Sequence, residues 1–259
     1  MDRRNFLRKS ASMMAGCFLG VNSISKAFAC ETFEGTSVFR PRVALIIDDI
    51  GNSLSRTRQF LDLDIPITFS VLPRLENTCS LAMEIHKQGH EIMLHQPMEP
   101  HNAHLDPGPG ALYVGDKTRT ITRIIEDNIS DVPYAIGVNN HMGSRFTECQ
   151  HEMTETLKVV KRNDLFFIDS LTTNHSQAFK TAKKLQVTAA RRNIFLDNTR
   201  SESAILYRLG NLMKLARKYG YAIGIGHPFF ETAKAIGDFL KYYRNQNISL
   251  VHVSDILKM

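Results

Sequence analysis

From residue 42 onward, short apolar runs alternate with longer amphipathic stretches. The apolar runs are Val43–Ile47, Ile67–Leu72, Glu91–Leu94, Ala135–Val138, Leu165–Ile168, Val187–Ala190, Ala222–Ile225 and Leu250–Val253. The amphipathic stretches lie near 53–63, 77–88, 117–130, 148–163, 175–184, 201–219 and 231–245. Nearly continuous apolar runs are typical of strands buried on both faces, and their alternation with helices indicates parallel crossovers. We predict an α/β fold, a β/α barrel of seven to eight mainly parallel strands, with a doubly wound sheet as the alternative.

The first 29 residues differ from the rest of the chain and have the layout of a secretory signal. A basic segment precedes the apolar run Ala11–Val21, and Ala27-Phe28-Ala29 offers small residues for cleavage. Arg3 and Arg4, followed by Phe6 and Leu7, resemble the twin-arginine export signal. The alternative is a membrane-anchoring helix, but the apolar run is shorter than the roughly 20 residues that cross a bilayer. We expect the twin-arginine machinery to be a transient partner, the mature protein to be periplasmic or otherwise exported, and no stable transmembrane anchor to remain.

The remaining chain is long enough for one domain. We divide the sequence into a signal peptide (1–29), a linker (30–41) and a single domain (42–259), because 259 residues with 43% hydrophobic content can bury one large core. The signal holds five basic residues and one acidic residue, so most of the net charge of +6 belongs to it. The charge therefore gives little support to a nucleic-acid partner. Cys30, Cys79 and Cys149 remain in the mature chain and allow one disulfide.

Polar and charged residues follow almost every apolar run. In chain order they are Asp48-Asp49, Pro73, His95, Asn139-Asn140-His141, Asp169-Ser170, Arg191-Arg192, His227 and Ser254-Asp255. The carboxyl ends of parallel strands meet at one edge, where barrels and open α/β sheets place their functional sites. The sequence therefore predicts a site at this edge.

Asp48 and Asp49 are the first pair of interest. Two adjacent carboxylates at the end of a buried strand repel each other, so at least one needs a cation or a proton. One aspartate is enough to cap the following helix, so the second is the informative one.

Two histidines complete a candidate metal site. His95 and His141 each end a strand, and with Asp49 they form an open ligand set for zinc or a related divalent ion. Taken alone, a histidine at the end of a strand is more often a hydrogen-bonded structural residue than a ligand, and Asp49 and His141 supply the partners that a metal requires. His227 ends a later strand in which Gly224 and Gly226 either admit a substrate or allow tight strand packing.

At these residues the sequence resembles the divergent polysaccharide deacetylases. The resemblance covers about residues 42–258 and is carried by Ile46–Gly51, Leu94–Glu99, Gly137–Ser144, Phe167–Ser170, Phe195–Asp197 and Ile225–Pro228. It implies a distorted NodB-like β/α barrel and a divalent metal, usually zinc. It also implies that Asp48 is the general base, Asp49 a metal ligand and His227 the general acid.

The sequence departs from the mainstream deacetylases at one ligand. Those enzymes take two metal ligands from an H-x-x-x-H motif, whereas His95 is followed four residues later by Glu99. We choose His141 as the third ligand because zinc favours imidazole, with Glu99 as the alternative or as a residue that supports the ligands. We assign substrate-binding or supporting roles to other polar residues near the strand ends: Asn139, Asn140, Ser144, Asp169, Arg191 and Asp197.

The resemblance implies an exported metal-dependent hydrolase that cleaves a C–N amide bond in an N-acetylated envelope carbohydrate, such as one derived from peptidoglycan. One alternative is a non-catalytic metal- or glycan-binding envelope protein that keeps the fold. Another is an esterase or peptide amidase that uses the same metal. A serine hydrolase is disfavoured because the G-x-S-x-G motif is absent from the sequence.

Overall fold

The computed structural model describes residues 40–243 and 247–258. In this part of the chain, nine strands form one curved sheet, and every pairing between them is parallel. The strands are β1 Arg42–Ile50, β2 Thr68–Val71, β3 Glu91–Met98, β4 Ala135–Met142, β5 Phe166–Asp169, β6 Ala189–Arg191, β7 Ile194–Phe195, β8 Tyr221–Gly226 and β9 Ser249–Val251. The helices are α1 Leu54–Leu61, α2 Thr78–Lys87, α3 Thr118–Asp131, α4 Gln150–Arg162, α5 Ala178–Lys184, α6 Glu202–Tyr219, α7 Phe230–Tyr243 and α8 Val253–Leu257. A short 3₁₀ helix, Phe146–Glu148, precedes α4.

The strand order is β6-β5-β4-β3-β2-β1-β8-β7, and β9 pairs with the first residues of β1. The sheet curls into a half-barrel with helices against it, so the predicted barrel of parallel strands is confirmed. The predicted signal peptide and all but the last two residues of the predicted linker lie outside the described residues. No described helix is long and apolar enough to cross a membrane. Cys79 and Cys149, the two cysteines among the described residues, are not joined to each other by a disulfide.

The alternation of side chains along β1 divides the core into two layers. Val43, Leu45 and Ile47 belong to the large cluster that includes the helices. Ala44 and Ile46 belong to a smaller cluster on the concave face of the sheet. Successive strand residues point to opposite faces, so Asp48 continues the row of Ala44 and Ile46 and is 2% exposed.

The end of the chain differs from the prediction. The strand predicted over Leu250–Val253 ends at Val251, and Val253 begins α8. The backbone N–H of Ser254 donates to Glu91 at the start of β3, so Ser254 and Asp255 lie at the opposite edge from the other strand-end polar residues. The two-residue strand β7 was not predicted, because Ile194 and Phe195 are too short a run to stand out as a strand.

Candidate active site

Residues from four strands meet at the carboxyl edge of the concave face. In β3, Met93 faces the concave cluster, and His95 is two residues further along. His95 lies opposite Asn139 in β4, and Ile47 in β1 lies opposite Gly226, directly before His227. The alternation of period two therefore places strand-end side chains on the same side of the sheet.

Asp49 joins this group through an irregularity in β1. A regular strand would direct Asp48 and Asp49 to opposite faces. The pairing of β1 with β2 shifts register between Ile47 and Ile50, and Asp49 has a positive φ of 57°. This bulge turns both adjacent carboxylates toward the same site, as bulges commonly do near active sites.

Three potential ligand atoms converge at the site. Asp49 Oδ1 lies 2.9 Å from His141 Nδ1 and 3.2 Å from His95 Nε2, and the two nitrogens are 3.1 Å apart. Ligands about 2.0–2.2 Å from a tetrahedral zinc ion lie about 3.3–3.6 Å from one another. The triangle therefore has nearly the dimensions of one face of such a tetrahedron, and among the described residues it is the single group of this kind.

The hydrogen bonds around the triangle also fit a cation. Asp49 Oδ1 is buried and receives no well-directed hydrogen bond, although two imidazoles are close. His95 Nδ1 lies 2.7 Å from Asn139 Oδ1, while Asn139 Nδ2 donates to Asp48. This arrangement fixes the His95 proton on Nδ1, which leaves the Nε2 lone pair free to bind a metal. Asp49, His95 and His141 thus fit a divalent ion.

Asn139 connects the triangle to Asp48. Its amide donates to Asp48 Oδ1 over 2.8 Å, and its Oδ1 also accepts a hydrogen bond from Ser70 of β2. Burial raises the pKa of Asp48, and this outweighs the opposing charges of His95 and His227. Burial would also raise the pKa of Asp49, but the close imidazoles of His141 and His95 lower it well below its ordinary value. The adjacent carboxylates therefore have different proton affinities.

His227 is held by a buried aspartate on the other side of Asp48. Asp197 accepts hydrogen bonds from His227 Nδ1 at 2.8 Å, from the His227 backbone N–H at 2.6 Å and from Thr232 at 2.8 Å. Burial alone would lower the pKa of His227, but the hydrogen bond and charge of Asp197, with the charges of Asp48 and Asp49, raise it to about 9. His227 is therefore protonated near neutral pH, with its Nδ1 bonded to Asp197.

A family model described as divergent polysaccharide deacetylase matches residues 45–257. The chain belongs to this family. The match confirms the resemblance carried by the strand-end motifs. The chain is also 32% identical over 234 residues to the uncharacterised protein YibQ of Escherichia coli (strain K12), and the alignment covers 89% of this chain and 72% of that protein.

Solved structures agree with this membership at the level of the fold. The uncharacterised protein ATU2773 from Agrobacterium tumefaciens C58 superposes with a TM-score of 0.80 at 25% identity, over 86% of this chain and 91% of that chain. The catalytic domain of peptidoglycan N-acetylglucosamine deacetylase from Eubacterium rectale ATCC 33656 superposes with a TM-score of 0.54 at 12% identity, over 83% and 89% of the two chains. The NodB-like barrel expected of a divergent deacetylase is thereby confirmed.

In this member of the family, Glu99 is outside the triangle. Its carboxylate accepts a hydrogen bond from the Val114 backbone N–H at 2.7 Å and forms a 2.6 Å ion pair with Arg145. The hydroxyl of Ser144 accepts from the backbone N–H of His101. Both residues therefore hold the long loop that follows β3, and the geometry favours His141 over Glu99 as the third ligand.

Two of the residues assigned substrate-binding or supporting roles stabilise the β5–α5 loop. Asp169 accepts hydrogen bonds from the backbone N–H groups of Leu171 and Phe179 and from the Ser176 hydroxyl. Asn140 accepts from the backbone N–H of Ser170 over 2.9 Å and donates to the carbonyl of Met142. Asp169 and Asn140 are buried, so the structure places them as supports beneath the site.

Of the two adjacent arginines at the end of β6, Arg192 is the partly buried one, and the charge of Asp48 acts on it. Arg191 is exposed, and its guanidinium carbon lies 4.6 Å from the centre of the Phe179 ring. Arg192 donates to the carbonyls of Ser170 and Leu171. Burial lowers its pKa to about 10, against the opposing charges of Asp169 and Asp48. Arg192 is a candidate site residue; the sequence placed it among the strand-end polar residues, but the supporting role was assigned to Arg191.

Asp49 contributes to the lining of two clefts. One has a volume of about 230 Å³ and is walled by apolar residues and prolines of the long loop, with His141 at its edge. The loop is anchored from below, because Asn128 and Gln96 both donate to the carbonyl of Gly110. The other cleft, about 150 Å³, lies between the β1–α1 and β8–α7 connections. Both clefts therefore reach the triangle at Asp49.

Proposed function

We propose that this chain is an exported metal-dependent hydrolase that removes acyl groups from an N-acetylated carbohydrate of the cell envelope. The observation that carries the proposal is the triangle formed by Asp49, His95 and His141, with Asp48 and His227 beside it. The family supports a carbohydrate substrate, and the donor set supports zinc as the ion.

The residues can divide the chemistry between two proton-transfer groups. A divalent ion held by the triangle would polarise the acyl carbonyl and lower the pKa of a nearby water. Asp48 takes a proton from that water as its oxygen bonds to the acyl carbon. When the C–N bond breaks, His227 donates its proton to the leaving nitrogen. Burial favours the base role by raising the pKa of Asp48, while Asp197 keeps His227 protonated until it is needed.

The surrounding residues position these groups in this mechanism. Asn139 orients both His95 and Asp48 through the two ends of its amide. Asp197 orients His227. Arg192 stacks over Phe195, its guanidinium carbon 3.7 Å from the ring centre, and places positive charge near Asp48.

Catalysis is tested by measuring deacetylation of an N-acetylglucosamine oligomer and of a generic acetyl ester. We expect the zinc-loaded protein to release acetate, and expect removal of zinc with a chelator or substitution of Asp48→Asn to stop it. An inactive protein that still binds zinc and the oligomer tightly would support the alternative, a non-catalytic metal- or glycan-binding envelope protein.

Export is a separate proposal that rests on the amino-terminal sequence. We expect the double variant Arg3→Lys, Arg4→Lys to stay in the cytoplasm, because the twin-arginine receptor reads the arginine pair as an address. Cell fractionation followed by immunoblotting of the full chain measures this. Equal amounts of wild type and variant in the periplasmic fraction would contradict this route.

A further inference from the structure

The smaller cleft beside Asp49 contains a positive charge that forms no salt bridge with the part of the chain that the structure describes. Its lining is Asp49, Asn52, Ser53, Arg56, Thr57, Pro228 and Phe229. Arg56 is exposed and forms no salt bridge with any described residue. By contrast, Arg58 on the same helix is paired with Glu84 at 2.9 Å. The cation that lines the cleft is therefore available to a ligand.

A second arginine stacks on Phe229, one of the residues that line the same cleft. The guanidinium carbon of Arg200 lies 3.7 Å from the centre of the Phe229 ring, which orients the cation by stacking. Arg200 is also exposed and without a salt bridge in the described part of the chain. The first turn of α1, capped by Ser53, contains no acidic residue, so the helix dipole adds to the positive potential.

The position of His227 shows which half of a substrate this cleft would receive. The His227 ring centre lies 5.7 Å from that of Phe229, and Pro228 between them lines the cleft. A general acid must lie beside the leaving atom. The leaving amine and the sugar that carries it therefore occupy the smaller cleft, while the acyl group faces the proline-walled cleft next to His141.

We propose that the natural substrate carries a carboxylate on the amine-bearing half of the molecule, and that Arg56 and Arg200 bind it. This inference rests on the proposed function, since it uses the acid role of His227 to orient the substrate. A carboxylate on an N-acetylated sugar can come from a lactyl ether, as in N-acetylmuramic acid, or from a uronic acid. Guanidinium groups recognise carboxylates through charge-assisted hydrogen bonds, so the two sources share one chemistry.

Binding can be measured separately from turnover. The probes are N-acetylmuramic acid, its methyl ester, N-acetylglucosamine and 2-acetamido-2-deoxyglucuronic acid, titrated by NMR into zinc-loaded protein with Asp48→Asn so that no probe is consumed. The neutral counterpart of N-acetylmuramic acid is its methyl ester, and that of 2-acetamido-2-deoxyglucuronic acid is N-acetylglucosamine. We expect one of the two acids to bind about tenfold more tightly than its neutral counterpart at low salt. This preference should shrink as the salt concentration is raised. The preferred acid identifies the carboxylate source.

Substitutions of the two arginines test whether the preference for the acid arises in the smaller cleft. Arg56→Gln is expected to reduce the preference to about twofold, Arg200→Gln to weaken it, and Arg56→Lys to retain part of it. Arg58→Gln is the matched control on α1 and should leave the preference unchanged, because Arg58 is paired with Glu84 outside the cleft.

Equal binding of the acids and their neutral counterparts, including no measurable binding of either, would overturn the inference. So would a preference that survives Arg56→Gln combined with Arg200→Gln. A preference lost in these variants supports the inference even if the wild-type protein hydrolyses no probe, in which case only the proposed catalysis fails.

Discussion

Substitution of His141→Ala is expected to release bound zinc and to remove hydrolytic activity. The Nδ1 atom of His141 lies 2.9 Å from Asp49 Oδ1 and 3.1 Å from His95 Nε2, so it supplies one of the three ligands of the proposed centre. Loss of a residue that only hydrogen-bonds a ligand typically weakens metal binding by about 10–100-fold. Loss of a ligand should cost more than this. Zinc content after dialysis, together with acetate release, measures both effects.

Two further substitutions calibrate this result. Asn139→Ala removes the partner of His95 Nδ1, so we expect zinc affinity to fall within the range of about 10–100-fold. Glu99→Gln is the matched control, because the side chain can still accept from the Val114 N–H. The Glu99→Gln variant loses the ion pair with the exposed Arg145, and an ion pair of this exposed kind contributes little to stability. Full zinc retention is expected.

The opposite pattern would change the ligand assignment. If His141→Ala keeps its zinc while Glu99→Gln loses it, the metal follows the spacing of His95 and Glu99 in the sequence. The long loop would then have to rearrange, since the Glu99 carboxylate is bound to Arg145 and to the backbone of Val114 in the structure.

The fold could be predicted because the alternation of apolar runs with amphipathic stretches arises from what each strand and each helix needs locally. Strands buried on both faces need continuous apolar residues, and crossover helices need one apolar stripe, so the alternation is visible without any contact information. Functional sites lie at the carboxyl ends of parallel strands, and this expectation selected five candidates: Asp48, His95, Asn139, His141 and His227. The structure places all five at one edge of the concave face.

Other features depend on tertiary geometry that no local pattern contains. The positive φ of Asp49 decides that both adjacent carboxylates face the same site, yet a strand of regular period would separate them. Likewise, Arg191 and Arg192 have the same chemistry and adjacent positions. Only the path of the chain after the three-residue strand β6 decides that Arg192 is the partly buried one of the two, bonded to the carbonyls of Ser170 and Leu171.

The sequence also contains a signal at Ser70 that identifies it as a candidate site residue. The strand β2 reads Thr68-Phe69-Ser70-Val71 and is buried at every position. A buried hydroxyl in such a strand needs a hydrogen-bond partner. The partner is Asn139, and through it Ser70 helps to orient His95.

Substitution of His227→Ala is expected to lower kcat by about 10²–10⁴-fold while zinc content stays near that of the wild type. His227 belongs to no part of the ligand triangle, and its Nδ1 is bound to Asp197. His151→Ala, which removes an exposed histidine from α4, is the control and should leave kcat unchanged. A loss of zinc in His227→Ala equal to that in His141→Ala would place His227 among the ligands instead of the proton donors.

The role of Asp197 gives this prediction a pH dependence. His227 must be protonated to act as the acid, and Asp197 is the main reason that its pKa is raised to about 9 rather than lowered by burial. We expect kcat/KM of the wild type to decline above about pH 9. Asp197→Asn should move this decline to or below the ordinary histidine pKa of about 6.5.

The stability of the fold should depend on pH in the same range. Because the folded-state pKa of His227 is raised, the pair formed by His227 and Asp197 stabilises the fold fully below pH 6.5, and that contribution is lost as the pH rises through 9. The stability difference between wild type and Asp197→Asn should shrink over the same interval. If Asp197 served packing alone, the variant would lose activity equally at every pH, and the pH–rate profile separates these outcomes.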